Sequence, residues 1–350
     1  MLDFSIVVPS YGRPEKLREL LGALAMLDYP ASRFEVIVVD DGSPAPLSSL
    51  VPRPGPLSNL TLLTQKNLGP SSARNRGAGA AQGRYLAFTD DDCRPQPAWL
   101  GAMSAALGES ESTVCGGRTV NGLPGNLYSE ASQLLLDYLS AYYRKTEAPE
   151  VFFPSNNLAL SRAGFLKVGG FDATLRFGED RDFCSRCASS GFAFAYAPDA
   201  VVHHSHDQTL RSFIRLHASY GAGTYAFRRG CVEKGLPRVR IGSPIWYLNL
   251  ILSGIRKAGF PRGAKLSLLL FGSQAASLAG MIRACLRHAH QVPGGQSGRP
   301  GAGSAARLAA PDSIADVVIP PVSDLQGSGE RFQSRQGPVD EASIQEGDED

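Results

Sequence analysis

The first part of the chain alternates short apolar runs with stretches of helical spacing. Residues 4–8 (FSIVV), 34–39 (FEVIVV), 60–64 (LTLLT) and 84–89 (RYLAFT) are apolar and mostly β-branched or aromatic, which predicts short buried strands. Between them, residues 14–25 place leucines at helical spacing, and residues 71–83 (SSARNRGAGAAQG) predict a helix of small residues. Strands that alternate with helices predict a mostly parallel sheet covered by helices on both faces.

The pattern continues less regularly through the middle of the chain. Helices are predicted at 97–107 and 177–191, strands near 113–117, 152–161 and 192–206, and a long amphipathic helix at 127–143. Two apolar helical stretches follow at 245–255 and 265–282 and flank a cationic hinge. From about residue 291, Gly, Pro, Ser, Gln and acids dominate, which predicts a disordered acidic tail.

Composition places the chain among globular proteins. Its 350 residues are 43% hydrophobic and 19% charged, enough to bury a sizeable core. The net charge of +2 gives no global field that would favour nucleic acid as a partner. The N-terminus has no basic segment followed by a long apolar run, and the six cysteines are scattered, so we expect a reducing, cytoplasmic location. Cys184 and Cys187 form a C-x-x-C, but it lies inside a predicted helix and has no second pair to complete a zinc site.

Three consecutive carboxylates, Asp90 to Asp92, follow the fourth predicted strand directly. Two carboxylates about 4 Å apart repel each other by roughly 1 kcal/mol in water and by about 4 kcal/mol at an effective dielectric of 20, so something should offset the repulsion. One interpretation is a solvated turn before Pro95, and the other is a site for Mg²⁺ or Mn²⁺. Ligands of parallel sheets bind beyond the carboxyl ends of the strands, which places residues 9–13, 40–43 and 90–92 on one rim.

Seven motifs, taken in order along the chain, resemble those of the family-2 inverting glycosyltransferases with the GT-A fold. They are VVPSYGR, VVDDGS, NLGPSSARNRG, FTDDDC, SNNLALSR, VGGFD and GEDRDFCSR, within residues 3–230. The resemblance implies sugar transfer from a nucleotide-diphospho-sugar, with Mn²⁺ or Mg²⁺ on the diphosphate. It also implies a GT-A α/β domain at 1–230, with a Rossmann-like nucleotide-binding half at 1–95 and an acceptor half at 96–230. A helical extension at 231–290 and the tail at 291–350 would follow.

The resemblance also implies a nucleotide-sugar site. Asp41 matches the acid that accepts a hydrogen bond from the base, and Arg74 matches a basic residue near base and phosphate. The alternative for Arg74 is a surface salt bridge on a helix. The residues assigned to the nucleotide sugar are Pro9, Ser10, Arg13, Asp40, Asp41, Arg74, Asp90 and Asp91.

The metal site follows from the same resemblance. Asp92 is expected to coordinate the cation directly, and Asp90 to face the ribose or the waters of the metal. Asp91, between them, is expected to be expendable, with a solvated or hydrogen-bonded acid as the alternative. His204 in VVHHSHD is expected to complete the site. A metal held there would stabilise the negative charge that builds on the diphosphate leaving group.

Asp180 in GEDRD matches the family's catalytic base, which takes the proton of the acceptor hydroxyl. Glu179 and Asp182 flank it, and acids at the start of a helix are often only partners of the helix dipole. The chain lacks the Q-x-x-R-W element of processive synthases, which favours transfer of a single sugar over polymerisation.

Two other functions remain open from the sequence. A sugar nucleotidyltransferase shares the architecture and the metal chemistry, but its G-x-G-T-R loop is replaced here by PSYGRPEK. A non-catalytic subunit that binds nucleotide sugar or glycan could have kept the fold, although Asp41, Asp92 and Asp180 are all present. Turnover of donor with acceptor distinguishes the enzyme from the binding subunit.

Charge in the C-terminal part suggests a partner. Residues 211–265 carry eleven Lys or Arg and one acid, Glu233, and they overlap the two apolar helical stretches. Such a combination predicts helices that rest on an anionic membrane surface without spanning it. We therefore expect a glycan or lipid-linked acceptor of the cell envelope, met at the inner face of the plasma membrane. The alternative is that both helices simply pack on the catalytic domain.

Overall fold

The computed structural model describes residues 2–47, 57, 59–145, 152–236 and 242–291, all within one compact unit, Met1–Gly298. The tail predicted to be disordered lies outside the described residues, apart from residue 291.

The N-terminal half is a parallel α/β layer. Its elements are β1 (Phe4–Ser10), α1 (Pro14–Ala25), β2 (Phe34–Asp40), β3 (Leu60–Thr64), α2 (Pro70–Ala80) and β4 (Tyr85–Phe88). These strands pair in parallel in the order β3-β2-β1-β4. Residues of β1, β2 and β4 are buried along their whole length, which explains the continuous apolar runs in the sequence.

The second half adds a mixed layer to the same sheet. It comprises β5 (Cys93–Pro95), α3 (Trp99–Leu107), β6 (Thr113–Asn121), α4 (Leu127–Lys145), β7 (Leu158–Ser161), α5 (Arg162–Val168), α6 (Glu179–Ser189), β8 (Ala193–His204), α7 (Leu210–Glu233), α8 (Pro244–Ala258) and α9 (Arg262–Gln291). The strands complete the order β3-β2-β1-β4-β7-β6-β8-β5. β7 runs antiparallel to β4 and β6, β6 is parallel to β8, and β5 pairs antiparallel at the edge. The predicted α/β sheet flanked by helices is confirmed.

Two apolar clusters cover the two faces of the sheet. One contains the leucines of α1 and Trp99 of α3, and the other contains Phe88, Phe165, Phe171 and Phe183. Cys184 and Cys187 lie fully buried in the second cluster as free thiols, so the C-x-x-C contributes small core side chains of α6.

The strand predicted at 152–161 is shorter than expected. Only Leu158–Ser161 is a strand, because Pro154 is followed by a turn of 3₁₀ helix at Ser155–Asn157. The side chain of Asn157 makes that turn part of the core, since it accepts from Trp99 Nε1 at 2.9 Å and donates to the Ala200 carbonyl at 3.0 Å.

Helix α7 was not predicted, and it connects the catalytic sheet to the C-terminal helices. Three glycines lower the helix propensity of α7, but two of them, Gly221 and Gly223, permit close packing. A Cβ on Gly221 would lie 1.8 Å from the Ser277 carbonyl oxygen, and one on Gly280 of α9 would lie 1.9 Å from that of Ala218. Backbone contacts on both helices therefore hold α9 along α7, and the predicted boundary at residue 230 falls inside α7.

Gly280→Leu is expected to destabilise the chain by about 3 kcal/mol, because the new side chain meets the α7 backbone and overpacking at such a contact forces a shift. Gly230→Leu is the matched control, since a Cβ at Gly230 on α7 meets nothing within 4 Å. Urea unfolding of the two variants measures the difference. Equal midpoints would show that α9 is not held by this contact.

Candidate active site

The carboxyl ends of three parallel strands form one rim of the sheet. Ser10 and Asp40 are the last register pair of β1 and β2, and the Asp41 amide donates to the Ser10 carbonyl at 2.9 Å. Asp90 follows β4, which pairs with β1 on the other side. The three segments assigned to the rim from sequence are therefore brought together.

Two acids of the triplet, Asp91 and Asp92, are paired with Arg13, and Asp91 also accepts a hydrogen bond from Ser10. Arg13 lies 2.6 Å from Asp91 Oδ1 and 2.7 Å from Asp92 Oδ2, and Ser10 Oγ donates to Asp91 Oδ2 at 2.8 Å. Asp91 is fully buried, and burial raises its pKa to about 6 although Arg13 opposes the shift. Asp91 is thus a buried, hydrogen-bonded acid of the rim rather than a solvated turn residue.

Asp92 and His204 meet through the pairing of the edge strand. β5 and β8 place Cys93 opposite His204, and His204 Nε2 lies 3.2 Å from Asp92 Oδ1. Burial opposes ionisation of Asp92, but the His204 hydrogen bond and the Arg13 charge hold its pKa well below its usual range. Burial likewise opposes charging of His204, and Asp92 raises the pKa of that imidazole.

These two side chains suit a hard divalent cation. Ligand atoms of Asp92, Cys93 and His204 lie within 4.8 Å of one another, the one such group found among the described residues. Burial raises the pKa of the Cys93 thiol well above its ordinary value, so the thiol stays protonated and is a poor ligand. Carboxylate oxygen and neutral imidazole nitrogen fit Mn²⁺, and carboxylate alone fits Mg²⁺. The geometry therefore fits the cation expected from sequence.

Arg74 connects the two halves of the domain. It is buried and lies 2.6 Å from Asp90 and 3.1 Å from Glu179, the first residue of α6. The surface salt bridge considered as an alternative is thereby excluded, because the guanidinium is only 3% exposed. Burial, together with the neighbouring Asp180, raises the pKa of Glu179 to about 7. Sequence reasoning did not find this link, because Arg74 and Glu179 are 105 residues apart.

Asp180 stands in the first turn of α6, next to this link. Its Oδ1 accepts from the Arg181 amide at 2.8 Å, and burial raises its pKa. Tyr220 of α7 stands near the same acids and packs on Phe177, with ring centroids 5.8 Å apart, while 42% of the residue remains exposed. Sequence analysis missed Tyr220 because α7 itself was not predicted.

Asp40 and Asp41 hold the loops of the rim. Asp41 accepts from Gln65 Nε2 at 2.7 Å and from the amides of Leu68 and Gly69 at 2.9 and 2.8 Å. Asp40 Oδ1 accepts from the Ser43 amide at 2.9 Å. Both acids are buried. Asp41 shapes the turn that leads into α2, and Asp40 shapes the turn that follows β2.

Two family models match this chain over most of the described residues. The model of glycosyl transferase family 2 matches residues 5–169, and that of glycosyl transferase family group 2 matches residues 113–290. The chain belongs to glycosyltransferase family 2. The family expected from the seven motifs is therefore confirmed.

Individual relatives share about a third or less of their residues with this chain. Pre-mycofactocin glycosyltransferase of Mycobacterium tuberculosis is 30% identical over 264 residues, which cover 72% of this chain and 54% of the relative. Glycosyltransferase AglE of Haloferax volcanii is 25% identical over 202 residues, which cover 57% of this chain and 66% of AglE. The chain thus spans about half the length of the mycobacterial relative it matches.

A solved structure supports the fold. The mannosyltransferase PcManGT from Pyrobaculum calidifontis, determined with GDP-Man and Mn²⁺, superposes with a TM-score of 0.60 at 18% identity. The match covers 81% of this chain and 87% of that one. The GT-A fold expected of this family-2 chain is confirmed.

Proposed function

We propose that this chain transfers a single sugar from a nucleotide-diphospho-sugar to an acceptor hydroxyl, with inversion and with the help of Mn²⁺ or Mg²⁺. The observation that carries the proposal is the buried Arg74, which joins Asp90 of the donor rim to Glu179 beside Asp180. The guanidinium of Arg74 would thereby hold the donor site and the proton acceptor next to each other. Membership of glycosyltransferase family 2 supports the same reaction class.

The cation would be held by Asp92 and His204, with Asp90 close to it. When bound, it would neutralise charge that develops on the diphosphate leaving group. Arg13 supplies positive charge to Asp91 and Asp92, at 2.6 and 2.7 Å. Arg13 is half exposed, so it is free to turn toward a phosphate when the donor enters.

The nucleotide would lie over the carboxyl ends of β1 and β2. Pro9 and Ser10 end β1, Asp40 ends β2, and Asp41 follows it. Their backbone groups and remaining lone pairs therefore lie at the rim. Asp41 already accepts three hydrogen bonds, so contact with a base would use its remaining acceptor capacity. Arg74 and Asp91 are buried at the same rim, where they would support this site.

Asp180 would accept the proton of the acceptor hydroxyl. A general base is most effective when its pKa is raised toward the working pH, and burial shifts the pKa of Asp180 in that direction. Glu179 is engaged by Arg74, which leaves Asp180 as the carboxylate of the pair available to an acceptor.

The acceptor would be a glycan or a lipid-linked group of the cell envelope, met by a cytoplasmic protein at the inner face of the plasma membrane. Two features support this placement: the excess of bases around the C-terminal helices and the apolar surface those helices expose. A relative named poly(ribitol-phosphate) β-N-acetylglucosaminyltransferase, TarS of Staphylococcus aureus, is 31% identical over 138 residues, which cover 38% of this chain and 24% of TarS.

A thermal-shift panel of UDP-, GDP- and dTDP-sugars, each with and without Mn²⁺, tests the donor site. One donor should raise Tm in a concentration-dependent way only when Mn²⁺ is present, because ligand binding to the folded state stabilises it by about 2.7 kcal/mol at 100 times Kd. Slow hydrolysis of that donor should accompany binding. Binding without any turnover, with acceptor extracts supplied, would instead indicate a non-catalytic subunit.

A further inference from the structure

Helix α9 has two different sides. By length and composition its residues Arg262–Ala289 could cross a membrane. Its inner side, however, packs at backbone distance on α7 through Gly280 and Ser277, and Ser267 Oγ donates to the Ile251 carbonyl of α8 at 2.6 Å. These contacts hold α9 against α7 and α8. This agrees with the alternative that the C-terminal helices pack on the rest of the protein.

Its outer side is apolar and exposed. Leu268, Phe271, Leu278 and Ile282 recur at spacings of three, seven and four residues, with exposed fractions of 70, 58, 51 and 40%. Such spacing places them on one stripe of the helix. Each of the four side chains is at least 40% exposed in the part of the chain that the structure describes.

The neighbouring helices extend this surface. α8 packs against α9 on one side, and on the other a Cβ on Gly272 would lie 3.9 Å from Ile214 Cδ1 of α7. We call the combined surface the outer face; its exposed apolar members are Leu210, Ile214, Ile245, Leu248, Ile255, Leu268, Phe271, Leu278, Ile282 and Leu286. Large exposed apolar patches commonly mark sites of interaction.

Charge around the outer face indicates what covers it. Residues 210–291 contain thirteen Lys or Arg and one acid, Glu233. Exposed bases accompany the stripe on all three helices: Arg211, Arg215, Arg256, Lys265, Arg283 and Arg287. Lys257 is also exposed but is paired with Asp137 of α4 at 3.4 Å. Lys265 and Arg283 lie about 100° around α9 from the stripe, the position from which long basic side chains reach lipid headgroups. A second copy of the chain would set these bases against one another, whereas an anionic lipid surface attracts each base that lies near it.

We propose that the outer face rests on an anionic lipid bilayer, with α9 lying in the plane of the headgroups. Leu210 follows His204 by six residues, so the outer face begins within about 21 Å of the candidate metal ligand. This inference adds to the proposed function the surface at which a lipid-linked acceptor is met. Binding to the bilayer itself needs no turnover.

Flotation of the full chain with vesicles tests the proposal. Phosphatidylcholine vesicles with and without phosphatidylglycerol are compared at low and high salt. Binding is expected only to the anionic vesicles and should weaken as salt screens the bases. The double variant Leu268→Glu/Phe271→Glu should lose at least about 10-fold in bound fraction, because two charges would enter the apolar layer. Met26→Glu is the matched control, since Met26 is 72% exposed at the end of α1, away from the outer face.

Four results would overturn the proposal. They are no flotation at low salt, equal flotation of the double variant, resistance to alkaline carbonate extraction, and a dimer that the double variant dissociates without any vesicle binding. Resistance to carbonate would mean that α9 spans the membrane, and the dimer would mean that a second copy covers the outer face. Donor hydrolysis is measured on the same samples. Its absence from every sample, with vesicle binding intact, would count against the proposed function and not against the outer face.

Discussion

Asp92→Ala is expected to lower metal-dependent sugar transfer by about 1,000-fold, equivalent to about 4 kcal/mol of transition-state stabilisation, because it removes the carboxylate best placed to hold the cation. Asp92 is 6% exposed and lies 3.2 Å from His204, and among the described residues it is the carboxylate grouped with Cys93 and His204 as potential metal ligands. The fold should persist, since Arg13, its other partner, is half exposed and can return to water. Turnover is measured during titration with Mn²⁺ and with Mg²⁺.

The control for Asp92 is an acid outside the rim. Asp137→Ala removes a carboxylate that is 46% exposed on α4 and should leave turnover unchanged. Removal of metal by EDTA should reduce the wild type to the level of Asp92→Ala and should have little effect on the variant. Unchanged turnover of Asp92→Ala in limiting metal would remove Asp92 from the metal site.

Asp180→Asn is expected to reduce the chemical step by at least about 100-fold while donor affinity is kept, because the change deletes the proton acceptor at nearly constant shape. Folded stability at neutral pH should be equal or higher. Burial raises the pKa of Asp180, so the unfolded chain ionises this group more readily, and the ionised group costs the folded state free energy at neutral pH. Donor titration, Tm and single-turnover kinetics measure the three quantities.

The pH profile gives an independent test of the base. Wild-type kcat/KM should fall as pH drops through the raised pKa of Asp180, since the protonated carboxyl cannot accept a proton. Residual activity of Asp180→Asn should lack that fall. A loss of donor binding equal to the loss of turnover would place Asp180 in the donor site or in the structural framework.

Asp182→Asn separates a base from a partner of the helix dipole. Asp182 shares the first turn of α6 with Asp180 but is bound by Lys234 at 2.7 Å and by Arg186 at 2.8 Å. Its loss should lower stability and leave turnover per folded molecule unchanged. Equal losses of turnover in Asp180→Asn and Asp182→Asn would instead favour the dipole role for both acids.

The elements that the sequence predicted well are those with strong local signals. The strands of the N-terminal half are continuous apolar runs because they are buried on both faces, and α1 shows its leucines at helical spacing. Local signals failed at 154–157, where a buried segment with two asparagines was predicted to be a strand and forms a 3₁₀ turn. They also failed at α7, where packing against α9 outweighs the low helix propensity of glycine.

The sequence implied the family and the GT-A fold through the resemblance of its seven motifs. It also predicted the rim on which Ser10, Asp40 and Asp90 stand, because the ends of apolar strands are local signals. Only the tertiary structure decided how distant groups meet. The resemblance implied that His204 joins Asp92, and the pairing of edge strand β5 with β8 brings the two together. The contact of Arg74 with Glu179 had no signal in the sequence. These contacts depend on long-range pairing and on burial, which no local pattern of residues encodes. The placement of α9 was also decided by the tertiary structure. Its apolar sequence fits a membrane-spanning helix and a packed helix equally, but the backbone contacts of Gly221 and Gly280 fix one side of it to α7.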